Sequence, residues 1–173
     1  NSKINNSNDV IVNFYATDNS GNNVKASLAL DIDVTSPSIS VAYDNNNDDN
    51  TFDGYFKEDR IATITIVERN FDPNKVKITI TNTEGIIPKL SGWTTSRGTG
   101  NLDNTIHTAT LRYDADGDYK FDISCTDAGG NASKSVNYGG SVAPKEFTID
   151  KTIPTVGVKY DNNNAANTNY YKG

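Results

Sequence analysis

The chain repeats itself at the scale of a whole domain. Ile32 to Asn47 read IDVTSPSISVAYDNNN and Ile149 to Asn164 read IDKTIPTVGVKYDNNN, identical at ten of sixteen aligned positions, with an offset of 117 residues from Pro37 to Pro154. A second pair, YATDNSGN from Tyr15 to Asn22 and SCTDAGGN from Ser124 to Asn131, shares Thr-Asp and Gly-Asn at an offset of 109 residues, from Thr17 to Thr126. The eight-residue difference places an insertion in the later copy, around Tyr138 to Pro144. Solenoid repeats are far shorter than this, so the period marks entire domains in series. Residues 1–34 then read as the C-terminal strands of one domain, 35–150 as a complete domain and 151–173 as the start of another. The Asp-x-Thr-x-Pro segments at Asp33 to Pro37 and Asp150 to Pro154 are the junctions.

Within the complete copy, hydrophobic alternation with a period of two predicts about seven short strands. They are Ser38–Tyr43, Ile61–Val67, Lys75–Thr81, a short edge strand near Trp93, Thr105–Tyr113, Tyr119–Cys125 and Lys145–Ile149. Ala62, Ile64 and Ile66 share one face, as do His107, Ala109, Leu111 and Tyr113, and Tyr119, Phe121, Ile123 and Cys125. No amphipathic helix is expected. Many short alternating strands separated by Asn, Asp, Gly and Ser turns imply an all-β fold of two packed antiparallel sheets. The flanks hold too few strands to bury a core. Val12, Phe14 and Ala16, the counterparts of Phe121, Ile123 and Cys125, need a cover from adjacent or neighbouring chain, as do Val156 and Val158.

Charge and cysteine usage narrow the partners. Sixteen basic against twenty-two acidic residues give a net charge of -6, without a Lys/Arg cluster to neutralise phosphates, so nucleic acid is not an expected partner. No run approaches the roughly 20 apolar residues of a membrane span, so no membrane insertion by this segment is expected. Cys125 is the single cysteine, which leaves neither an internal disulfide nor a thiolate-clustered metal site.

Three motifs carry a family likeness: T-D-A-G-G-N at Thr126 to Asn131, D-G-D-Y at Asp116 to Tyr119, and D-K-T-x-P at Asp150 to Pro154. V-E-R-N-F-D at Val67 to Asp72 adds to them. With these the chain resembles the tandem bacterial immunoglobulin-like domains of Gram-positive surface and adhesin-type proteins. The resemblance implies an immunoglobulin-like antiparallel β-sandwich in tandem repeats. It also implies an extracellular setting, on the bacterial cell surface or secreted, and a non-catalytic role as structural stalk or adhesion module beside neighbouring repeats. The alternative is a specific binding head for a host protein, for example immunoglobulin, or a glycan. Tyr119 is the candidate for the tyrosine corner, in which a Tyr hydroxyl bonds to the backbone just upstream. Phe121 stands where antibody domains carry a bridging cysteine.

Candidate chemistry is sparse. His107 is the single histidine and lies in an alternating strand, while Cys125 aligns with Ala16 as a small core position, so no catalytic residues and no cofactor are assigned. Asp114, Asp116 and Asp118 form D-x-D-G-D, which matches part of a calcium loop but runs straight into a strand; a hairpin turn explains it as well. The Asp44 to Asn50 run, DNNNDDN, with its partial counterpart Asp161 to Asn164, is the better candidate for junctional calcium, against a plain polar turn as the preferred reading. A Lys–Asn isopeptide bond is not expected, because the inward strand positions read as apolar or aromatic apart from His107. Trp93 reads as an inter-sheet plug before a sugar platform, and the Y-F-K and Y-Y-K elements at Tyr55 and Tyr170 as structural.

Overall fold

A computed structural model of the chain describes residues 6–45, 51–52, 54–133, 136–137 and 147–159. The described residues are all-β, with two single turns of 3-10 helix at Pro73–Lys75 and Leu102–Asn104. Strands β1 (Ser7–Thr17) and β2 (Asn23–Ile32) pair with each other as a separate antiparallel hairpin. Strands β3 (Ser38–Tyr43), β6 (Arg60–Val67), β9 (Ile106–Tyr113) and β8 (Thr94–Ser96) form one sheet in that spatial order. The other sheet is built around β10 (Gly117–Cys125), with β7 (Val76–Asn82) on one side. On its other side lie β11 (Val136–Asn137) and β12 (Phe147–Ile149), followed by β5 (Tyr55–Phe56) and β4 (Thr51–Phe52).

The two larger sheets face each other across one core, as in a β-sandwich. Ala62, Ile64, Ile66, Leu111 and Tyr113 come from one sheet, and Tyr119, Phe121, Ile123, Phe147 and Ile149 from the other. Their alternation along each strand sends every second side chain inward. The bulky end of the core is aromatic: Tyr113 packs edge-on to Tyr119 at 5.0 Å and to Phe147 at 5.1 Å. Such pairs add about 0.5–1.5 kcal/mol beyond area burial.

The expected strands recur within a residue or two, but the opening of the domain is more elaborate than the sequence reading. After β3 the chain crosses to the opposite sheet as β4 and β5, and β5 pairs with β12 in parallel, Thr148 opposite Tyr55 and Ile149 opposite Phe56. Among the described residues the sheets are therefore antiparallel except at this one contact. Two-residue strands carry too little periodicity to be read from sequence.

The β1–β2 hairpin is amphipathic. Val10 pairs with Leu30, Val12 with Leu28, Phe14 with Ala26 and Ala16 with Val24, so one face is entirely apolar. Its register coincides with that of the complete copy at one pair and departs from it at the start of β1, where a bulge sets Ser7 rather than Asn8 opposite Ile32. At the 109- and 117-residue offsets Val10 and Leu30 correspond to Tyr119 and Phe147, which pair in β10–β12. The Val10, Val12, Phe14 and Ala16 positions are intermediate or exposed, whereas Tyr119, Phe121, Ile123 and Cys125 are buried.

Candidate functional site

The polar side chains converge where the junction segments meet the sandwich. At the first junction Asp33 follows β2 directly, and its Oδ1 accepts the Thr35 N–H at 3.1 Å and the Thr35 hydroxyl at 3.0 Å, an Asx-type turn. Its Oδ2 accepts from Asn70 Nδ2 at 3.0 Å, and its carbonyl from Asn131 Nδ2 at 3.1 Å. Asn131 closes the T-D-A-G-G-N turn after β10, donating its N–H to Asp127 Oδ1 at 2.8 Å and its side-chain amide to Asp127 Oδ2 at 2.9 Å. The Ala128 N–H bonds to the Asn70 carbonyl at 2.9 Å, joining that turn to the segment after β6. Three motifs that are separate in sequence thus form one knot.

Within the knot, carboxylate oxygens of Asp33, Glu68 and Asp127 lie within 4.8 Å of one another. Glu68 is 3% exposed and Asp127 is fully buried, although the sequence reading left no acidic residue in the interior. Glu68 Oε1 accepts the Asn70 N–H at 2.8 Å. Burial, above all, and then the neighbouring Asp33 and Asp127 push the Glu68 carboxyl up to about 7, against the opposing effect of the Asn70 N–H. A calcium ion takes six to eight oxygens. Three carboxyls alone do not complete that set, and below about pH 7 a proton on Glu68 relieves their mutual repulsion.

The hairpin is fixed to the same end of the sandwich. Asn6 Oδ1 accepts the Val34 N–H at 2.9 Å, and Asn6 Nδ2 donates to Asp103 Oδ1 at 3.0 Å. Arg69 Nε lies 2.7 Å from the same Asp103 oxygen, and Arg69 Nη1 donates to Asn8 Oδ1 at 3.4 Å.

The second junction is held at the opposite end. Asp150 Oδ1 accepts the Thr152 N–H at 3.0 Å, repeating the Asp33 turn. Asp116 accepts the Lys151 N–H at 3.2 Å on one oxygen and the Thr152 hydroxyl at 2.9 Å on the other. Lys151 Nζ donates to Asp59 Oδ1 at 2.8 Å and to the Asp114 carbonyl, while Arg112 Nη2 reaches Asp59 Oδ2 at 2.7 Å. The Lys151 hydrogen bond, then Arg112, hold the Asp59 carboxyl below its usual range. Asp118 Oδ1 accepts from the Thr148 hydroxyl at 2.6 Å. The D-x-D-G-D segment is thus a brace for the junction. Gly117 suits it, because its φ of 127° and a Cβ position only 2.8 Å from Asn82 Nδ2 exclude a side chain. The Tyr119 hydroxyl donates to the Ala115 carbonyl at 2.9 Å, the bond a tyrosine corner requires.

Asp44 lies at this second end, because β3 carries the chain across the sandwich. Its Oδ1 accepts the Ile61 N–H at 2.8 Å. Residues 46–50 and 161–164, the rest of the calcium candidates, lie outside the described residues, as do 138–144 and Tyr170. Beside Asp44, Arg60 is buried with its guanidinium 3.6 Å from the Phe56 ring centroid and 3.9 Å from that of Tyr43, and its Nε donates to Asn45 Oδ1 at 2.8 Å. Sequence periodicity gave no sign of this buried cation.

His107 and Cys125 hydrogen-bond to different groups. His107 Nε2 meets the Glu68 carbonyl at 2.9 Å, Nδ1 meets the Thr95 hydroxyl at 2.9 Å, and the ring stacks on Phe71 at 4.1 Å. Burial pushes the Cys125 thiol up to about 11, so it stays protonated at neutral pH. Trp93 is half-buried and packs edge-on against Phe71 at 5.0 Å. An apolar groove along β7, lined by Ile78, Ile80, Pro88 and Leu111 among others, carries no convergent charged groups. No helix among the described residues is long and apolar enough to cross a membrane. No protein-family model, curated protein or solved structure matches the chain.

Proposed function

We propose that the chain is a non-catalytic extracellular module of a bacterial cell-surface protein, in which immunoglobulin-like domains follow one another as a structural stalk or adhesion element. The observation that carries this reading is the bonding of both Asp-x-Thr junctions into the body of the sandwich. Asp33 is gripped by Asn70 and Asn131, and Lys151 and Thr152 by Asp59 and Asp116. A flexible tether needs no such partners, whereas a series of domains that must project outward gains from fixed angles at each junction. The sheet order β3–β6–β9–β8 against β7–β10–β12 and the Tyr119–Ala115 bond support the immunoglobulin-like assignment.

The reading is tested by small-angle scattering on a polypeptide spanning at least two repeats, with and without Asp33→Ala plus Asn131→Ala. A stiff, extended particle that becomes flexible in the double variant supports the stalk. Equal flexibility in both removes its basis. Saturable binding of the 173-residue chain to a host protein or glycan, lost on substituting exposed loop residues, would favour the binding-head alternative.

A further inference from the structure

We propose that the apolar face of the β1–β2 hairpin is the inner wall of a second sandwich, covered by a four-stranded sheet of the β3–β6–β9–β8 kind from another domain of the same polypeptide. The inference rests on the tandem reading but concerns a specific surface. Along that face Phe14 is 55% exposed, Leu28 51% and Val24 64%. The face runs about 20 Å, six residue steps at about 3.4 Å, which is long for an uncovered apolar surface on a soluble domain.

Its occupant is indicated by the complete copy. The Val10–Leu30 pair takes the place of Tyr119–Phe147, and from there Val12, Phe14 and Ala16 follow the spacing of Phe121, Ile123 and Cys125. In the complete copy, the corresponding face of β10 is buried against Ala62, Ile64, Ile66 and Leu111 of the facing sheet. A surface with apolar residues at the same positions calls for the same kind of cover. The hairpin's opposite face is mixed: it carries Asn13, Lys25 and Ser27, with Ser27 bonded to Asn13 at 2.7 Å, beside the exposed Ile11 and Tyr15. A hairpin held by Asn6 against Asp103 and by Asn8 against Arg69 leaves its apolar face available to a domain lying beyond the first junction.

Amide hydrogen exchange on the natural full-length polypeptide, read at residues 7–32 and compared with the 173-residue chain, tests the proposal. The expected result is exchange slowed by roughly 100-fold or more in the longer polypeptide. Phe14→Asp should abolish that protection, and Tyr15→Asp, on the opposite face, should leave it intact. An apolar dye should bind the 173-residue chain and not the longer one. Equal exchange in both polypeptides overturns the proposal, as does a dimer of the 173-residue chain that itself protects the face. Either result leaves the junction scattering experiment untouched, so the failure of this cover is distinguishable from failure of the stalk reading.

Discussion

The side-chain amide of Asn131 bonds to the backbone carbonyl of Asp33 at 3.1 Å, across 98 residues of chain. Because the same amide also satisfies Asp127, whose side chain is fully buried, Asn131→Ala strands a buried acceptor. The expected cost is about 1–3 kcal/mol. Urea denaturation should show a lower midpoint with an unchanged slope. Asn131→Asp should cost more, since it adds a fourth carboxyl to the knot.

Stability should fall as pH rises from about 5 to about 8. The Glu68 carboxyl is raised from 4.5 to about 7 in the fold, so over this interval the native state binds more protons than the unfolded one. The Glu68 contribution is fully present below the unfolded value and is lost as pH rises through about 7. The part lost over this interval is on the order of 2–3 kcal/mol, since each tenfold gain in proton affinity on folding is worth about 1.4 kcal/mol. Denaturation midpoints across this range should drop in the wild type and stay nearly flat in Glu68→Gln.

Tyr119→Phe keeps the buried ring and removes only the hydroxyl that bonds to Ala115. A loss of about 1–2 kcal/mol is expected, most of it from the unsatisfied carbonyl. A thermal melt together with backbone chemical shifts at residues 114–117 would localise the change; a shift elsewhere, with an unchanged melt, would count against a brace at this corner.

Arg60 lies against the Tyr43, Phe56 and Phe147 rings, with its Nε bonded to Asn45. Arg60→Lys should not rescue Arg60→Ala, because an ammonium lacks the flat guanidinium that fits between aromatic faces. Both variants should lose about 2–4 kcal/mol in denaturant unfolding.

The sandwich strands were legible because their inward residues alternate. Ala62, Ile64 and Ile66, like Tyr119, Phe121 and Ile123, declare a face by spacing alone. The repeat likewise marked Asp33 and Asp150 as junction residues. Hidden from the sequence was the meeting of Asp33, Glu68 and Asp127, which stand 35 and 59 residues apart and come together only once the strands between them pack. Loop carboxyls carry no period, so nothing local distinguishes the buried Asp127 from an ordinary turn aspartate. Arg60 was missed for the opposite reason: it opens an alternating strand at a position where a charge is normally read as the end of the apolar run. The D-x-D-G-D segment showed its acids but not their partners, because Lys151 and Thr152 are brought back to it by β12.

The parallel contact between β5 and β12 has a mechanical meaning. β5 belongs to the opening segment of the sandwich, and β12 runs directly into the second junction. Tension applied through the two junctions reaches β3 first, and once β3 is drawn off β6 it drags β5 and β12 lengthwise past each other. The bonds from the Thr148 N–H to Gly54 and from the Asp150 N–H to Phe56, both 3.0 Å, are then strained at the same moment. They must rupture together, where a strand peeled from one end would release them in turn. A domain fastened in this way resists a steady pull by the height of its unfolding barrier, a kinetic property that its equilibrium stability does not report.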